Sequence, residues 1–137
     1  MDLTERRVVV EPLKADWAHK FIGGKGLGIR YLYDLVQPGV DPFSPANLLI
    51  LMTGQFTGTI MSTMSRMANV TKSPLTGTMS DNYGGGYFPA ELKFAGFDGI
   101  IVKGRAAKPT YLSIKDGSGE LRDASHPGAR ACSKPPT

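Results

Sequence analysis

Leu48-Leu49-Ile50-Leu51-Met52 is an unbroken apolar run, led in by Asn47 and closed by Thr53-Gly54. It lacks the alternation of a half-exposed strand and reads as a β-strand covered on both faces. Turn formers bound it, with Asp41-Pro42-Phe43-Ser44-Pro45 before and a loop from Thr53 to Thr59 after. Upstream, Leu27, Tyr31, Leu32 and Leu35 recur at three- and four-residue spacing. That predicts a helix over about Leu27 to Val36 with one buried stripe, stopped at Pro38-Gly39. Asp16 is a candidate N-cap for a shorter helix carrying Trp17, Phe21 and Ile22. Arg6-Arg7-Val8-Val9-Val10 is β-branched and reads as a strand. Downstream, Met67 to Thr71 and Phe97 to Gly104 read as strands, the second buried. Thr110 to Lys115 and Glu120 to Arg122 read as a hairpin turning at Asp116-Gly117-Ser118-Gly119. Phe88 to Ala95 is a helix with Pro89 in its first turn and Gly96 as its stop. The chain is therefore expected to be α+β, β-rich, with a few short helices.

The 137 residues suit one domain. The single cysteine, Cys132, excludes an internal disulfide and any cluster or zinc site built from several cysteines of this chain. The net charge of +4 is scattered along the chain, so no nucleic acid is expected as a partner. No apolar run approaches the ~20 residues of a membrane span, so no membrane is expected either. The first residues lack a secretory apolar core, and a cytoplasmic protein is expected. His19 and His126 lack ligand partners at metal-binding spacing. Ser65, Ser73 and Ser80 lie in no nucleophile motif. No catalytic residue is assigned, and electron transfer would require a bound cofactor. Met61, Met64 and Met67 sit at spacing three and read as core filler.

Glycine is in excess, 17 residues where about ten would be average. Gly24-Lys25-Gly26-Leu27-Gly28 is not a dinucleotide fingerprint, because Ile29 stands where the third glycine belongs. It is not a Walker loop, and it reads as a bend between helices. Tyr83-Gly84-Gly85-Gly86-Tyr87, read as a loop before a helix, is better placed to present backbone N–H groups to an anion. A phosphate site and a plain turn both fit that pattern. Arg66 and Lys72 flank a presumed strand and can serve as phosphate-binding cations or as solvated surface charges.

Longer strings join these fragments. They include Phe21-Ile22-Gly23-Gly24-Lys25-Gly26, Thr71-Lys72-Ser73-Pro74-Leu75-Thr76-Gly77, Glu91-Leu92-Lys93-Phe94-Ala95-Gly96-Phe97-Asp98 and Ile101-Val102-Lys103-Gly104. Together they resemble the N-terminal domain of the tungsten-dependent aldehyde ferredoxin oxidoreductase family, over about Leu3 to His126. The resemblance implies a β-rich, pterin-binding base of two sheets, here an incomplete copy. It implies an enzyme that oxidises aldehydes to carboxylic acids and passes electrons to ferredoxin, using a tungsten or molybdenum bis-pterin, a magnesium ion and a [4Fe-4S] cluster. By position, Arg66, Lys72, Asn82, Tyr83, Gly84, Gly85 and Gly86 would bind cofactor, with the Tyr83 backbone carbonyl on magnesium. The cluster ligands and the segment completing the pterin site lie outside this chain. The remaining enzyme domains or a catalytic partner chain are thus implied partners, and the chain alone is expected to be inactive. Residues 1–126 are expected to form this partial domain, and residues 127–137 a disordered or aberrant tail. The alternatives are a stand-alone binding or assembly subunit and a non-functional fragment.

Overall fold

The computed structural model describes residues 1–125, and the tail expected over residues 127–137 lies outside them. Helix α1 spans Ala15–Phe21 and α2 spans Gly24–Leu35. Strands β1 (Leu48–Thr53), β2 (Arg66–Lys72) and β3 (Met79–Gly85) follow, then α3 (Tyr87–Phe94). Strand β4 (Gly99–Lys103) and the pair β5 (Thr110–Lys115) and β6 (Ser118–Asp123) complete the order. The first four strands form one antiparallel sheet in the order β3-β2-β1-β4, and β5-β6 form a separate hairpin. The two-sheet α+β architecture is the one expected from sequence.

Strand β1 lies inside the sheet and sets its register. Ile50 sits opposite Val70 of β2 and Ile101 of β4, and Met52 sits opposite Ala68. Alternation puts Leu48, Ile50, Met52, Ala68 and Val70 on one face, where α2 supplies Leu27 and Leu32; these seven form the buried core. Gly28 makes that contact possible, because a Cβ there would lie 2.9 Å from Val70 Cγ2. Gly26 likewise lies where a Cβ would meet the Phe21 carbonyl oxygen at 2.7 Å. Two of the glycines in the bend are thus close-packing residues inside α2, and the bend itself is confined to Ile22-Gly23. Trp17 of α1 meets Tyr31 edge to face at 5.0 Å, with Lys14 and Arg30 near its ring faces.

The second face is covered only in part. Leu51, Ile100 and Val102 share a groove with Leu92 of α3 and with Leu112 and Ile114 of the hairpin. The hairpin turn is tied to α3, because Gly117 N–H donates to the Ala95 carbonyl at 2.9 Å. The turn is two residues long, Asp116-Gly117, both at positive φ, as a right-twisted hairpin prefers. Leu49 is exposed, so β1 is not covered on both faces as its composition suggested. The unbroken apolar run follows instead from a second face that α3 and the hairpin cover only toward β4.

Three further expectations are corrected. Arg6–Val10 is not a strand. Asp2 pairs antiparallel with Arg7, and Val8 to Val10 then run on with no strand beside them among the described residues. Leu35 is 51% exposed, outside the buried stripe of α2. Met61 and Met64 are exposed in the β1–β2 loop and fill no core.

The first residues run alongside the outer edge of β4. The Met1 ammonium donates to the Ile101 carbonyl at 2.9 Å, Lys103 N–H donates to the Met1 carbonyl, and Leu3 N–H donates to the Lys103 carbonyl. Burial, and then the neighbouring Lys103 charge, hold the amino group's pKa below its ordinary 8.0.

Ile50→Ala removes a wholly buried side chain at the sheet centre. It should cost about 2–5 kcal/mol, read as a lower midpoint in urea unfolding. The depressed Met1 amine means that the unfolded chain binds more protons in the window below pH 8. Stability should therefore rise with pH through that window and level off above 8. Acetylating the amine should remove that part of the slope, as measured by thermal midpoints between pH 6 and 9.

Candidate functional site

The glycine run is strand and not loop. Gly84 and Gly85 end β3, which lies at the sheet edge, and Gly86 is the residue before α3 at φ 91°. The local pattern suggested a loop because glycine is a poor strand former. Pairing with β2 overrides that preference. Arg66 lies opposite Gly85, Met67 opposite Gly84, Ala68 opposite Tyr83 and Asn69 opposite Asn82.

This register sorts the candidate residues by face. Arg66, Tyr83 and Gly85 lie on the α2 face, whereas Asn82 and Gly84 lie on the other. Asn69 Nδ2 donates to Asn82 Oδ1 at 2.6 Å, while Asn69 Oδ1 is buried with no partner among the described residues. On the α2 face the Lys25 ammonium pairs with the Asp81 carboxylate at 3.0 Å. A hydrogen bond from Lys25 to Asp81, and then that charge, raise the Lys25 pKa above its usual value. This pair straps α2 to the strand that carries the glycines.

Arg66 has a fixed backbone and a free head. Its carbonyl accepts from Gly54 N–H at 3.1 Å and from the Thr57 hydroxyl at 2.9 Å, and Thr57 is buried. Its guanidinium makes no ion pair among the described residues. The Ser65 hydroxyl donates to the Gly86 carbonyl and closes the corner between β2 and α3. Lys72 stands at the other end of β2, six residues or about 20 Å from Arg66. Its ammonium donates to the Val40 carbonyl and anchors the α2–β1 connector. The structure thus brings Arg66 together with Tyr83 to Gly86 at one sheet corner and leaves Lys72 outside that group.

What a side chain would meet at each glycine is informative. A Cβ on Gly86 would meet nothing within 4 Å, although its positive φ favours glycine. A Cβ on Gly85 would meet only the Ser65 carbonyl oxygen, at an ordinary 3.5 Å, and its backbone is not at positive φ. Nothing among the described residues requires glycine at position 85. Among the described residues no three His, Cys, Asp or Glu side chains gather as a metal site, and no helix is long and apolar enough to cross a membrane.

Sequence reasoning missed the Asn69–Asn82 pair, Thr57 and the Lys25–Asp81 strap. Each joins segments whose adjacency depends on strand register or on the α2 contact, and no local motif carries that information.

The sequence profile described as "Aldehyde ferredoxin oxidoreductase, N-terminal domain" matches residues 1–132. The chain belongs to this family. It is 48% identical over 126 residues to the tungsten-containing aldehyde ferredoxin oxidoreductase of Pyrococcus furiosus, covering 92% of this chain and 21% of that protein. It is 37% identical to an aliphatic sulfonate oxidoreductase, WOR-like subunit, from the same organism, covering 90% of this chain and 20% of that protein. Among solved structures it resembles a chain of the active site complex BamBC of benzoyl coenzyme A reductase in complex with 1,5-dienoyl-CoA. That match has a TM-score of 0.88 and 38% identity, and covers 91% of this chain and 19% of the other. The family member described here thus spans about a fifth of the curated relatives it matches.

Lys72→Met should free the connector around Val40, seen as faster amide exchange over residues 37–47, while exchange at Gly84 to Gly86 stays unchanged.

Proposed function

We propose that this domain seats the phosphates of a tungsten or molybdenum bis-pterin in an aldehyde-oxidising, ferredoxin-reducing enzyme. The observation that carries the reading is Gly85: glycine where neither backbone conformation nor packing among the described residues calls for it, paired with Arg66 at a sheet edge with no further strand beside it among those residues. A bare backbone there lets a ligand approach closely.

The residues present fit such a group. Gly85 and Gly86 would offer bare backbone beside Arg66, whose guanidinium is a planar donor set for phosphate, and Gly84 lies on the opposite face. The Tyr83 carbonyl would supply an oxygen donor of the kind magnesium takes; Asn82 lies on the opposite face, where its Oδ1 accepts from Asn69 Nδ2. Lys72 contributes by fixing the connector. Bound there, such a group would supply the redox chemistry by which an aldehyde and water give a carboxylic acid, with the electrons passing toward ferredoxin and the protons to solvent. This chain's residues bind and orient. The cluster ligands, the rest of the pterin site and the aldehyde pocket belong to the other domains or to a catalytic partner chain.

Purified alone, the protein should show no aldehyde-dependent dye reduction. Magnesium pyrophosphate, used as a probe, should shift the NMR amide signals of Gly84 to Gly86. Arg66→Ala should weaken that binding about tenfold, the loss of one charge-assisted contact. Gly85→Val should abolish it while leaving the thermal midpoint within about 2 °C. Unchanged binding in both variants would overturn the reading.

A further inference from the structure

Asp81 and Asn82 are consecutive in β3, and each is tied to a different element on a different face of the sheet. Asp81 faces α2 and pairs with the Lys25 ammonium at 3.0 Å. Asn82 faces the other way and accepts from Asn69 Nδ2 at 2.6 Å. Tyr83 follows with a half-exposed side chain, and then come Gly84, Gly85 and Gly86. The glycine run therefore hangs between these two ties and the Ser65 hydroxyl, which donates to the Gly86 carbonyl. It has no side chains with which to hold its own place, and glycine has the greatest backbone freedom of any residue. It also lies at the sheet edge, with no strand on its far side among the described residues.

Local preference does not explain either tie. Lys25 is the second residue of α2, in the turn where the helix's positive end disfavours a cation, and that turn has no acidic residue. Lys25 and Gly28 are three residues apart and share one face of the helix. Gly28 sits against Val70, and Val70 pairs with Asp81, so the lysine reaches the strand beside the one that the helix approaches most closely. The Asp81 side chain is 19% exposed, and a carboxylate so covered requires a partner. On the opposite face Asn69 Oδ1 is buried without a partner, so the bond to Asn82 is the one hydrogen bond that the Asn69 side chain makes among the described residues. A carboxamide in that position fixes whatever it bonds, because losing the bond would strand a second polar atom.

We propose that Asp81 and Asn82 form a two-sided clamp, closed by Lys25 and Asn69, that fixes the glycine run against Arg66. Lys25 and Asn69 are then positioning residues, which act through β3 and touch no ligand. The register carries the effect, because Gly84 lies opposite Met67 and Gly85 opposite Arg66, directly beyond the clamp. That the clamped backbone receives a phosphate rests on the function proposed above; the clamp itself does not.

The test compares the unchanged 137-residue protein with Asp81→Ala, with Asn82→Ala and with a double variant, Lys25→Asp with Asp81→Lys, which restores the pair with its charges swapped. Without any anion, each alanine variant should speed amide exchange at the β2-bonded amides of Tyr83 to Gly85 about threefold, the scale of one partly exposed polar contact. Ile50 and Val70, in the core, should stay within about twofold of the unchanged protein. With magnesium pyrophosphate as the probe, Asp81→Ala should weaken binding about threefold. Charge alone predicts the opposite, since this variant removes a carboxylate from the face that carries Arg66. The charge-swapped pair should return both readings to those of the unchanged protein. Unaltered exchange in the alanine variants, binding by Asp81→Ala as tight as before or tighter, or a folded charge-swapped protein that behaves like Asp81→Ala would each overturn the clamp. If the charge-swapped protein does not fold, Asn82→Ala decides by exchange and binding together. If the unchanged protein binds no pyrophosphate, the phosphate reading falls, and the anion-free exchange rates still decide the clamp.

Discussion

Helix α2 lies on the sheet at a distance that admits no side chain between Gly28 and Val70. This contact governs the rest of the structure. It lets Leu27 and Leu32 reach Ile50 and Ala68, and it fixes which face of β1 and β2 is the inner one. A strand slipped by one residue would present Leu49 and Asn69 to the helix in place of Ile50 and Val70. The register that results places Arg66 opposite Gly85 and Asp81 within reach of Lys25. The corner that carries the glycine run is thus positioned by packing more than 10 residues away along the chain.

Much of the architecture was legible from local chemistry. The helix of Leu27 and Leu32, the strand at Leu48 and the hairpin around Asp116-Gly117 all carry their own signals, in apolar spacing, apolar continuity and turn residues. What failed did so for a common reason. Val8-Val9-Val10 has strand composition, but a strand exists only beside a partner. Gly84-Gly85 has loop composition, but Arg66 and Met67 lie alongside and make it a strand. Leu35 fits the helical stripe, but it borders an open groove beside Ile101 and stays exposed. In each case a tertiary neighbour, or the lack of one, overrode a local preference.

The candidate site was legible in its residues and not in its arrangement. Arg66 and the glycines were singled out by residue type and clustering, whereas the face each occupies depends on register. Lys72 illustrates the difference. It lies in the same strand as Arg66, and in sequence both look like cations for one anion. The strand's length separates them, and Val40 takes the lysine. Asn69 and Asn82, thirteen positions apart, were invisible as a pair because nothing between them announces that two strands will bring them face to face.

The order of the sheet, β3-β2-β1-β4, also sets a timetable for synthesis. Strand β1 leaves the ribosome before either neighbour, and β4 arrives almost fifty residues later. Until β2 follows, the surface that shields Leu48, Ile50 and Met52 is α2, which has already emerged. The helix thus serves first as a cover for a single unpaired strand and only afterwards as one layer of a completed sheet. A chain that loses the close approach at Gly28 would be exposed to misassociation during translation, before its folded stability came into question.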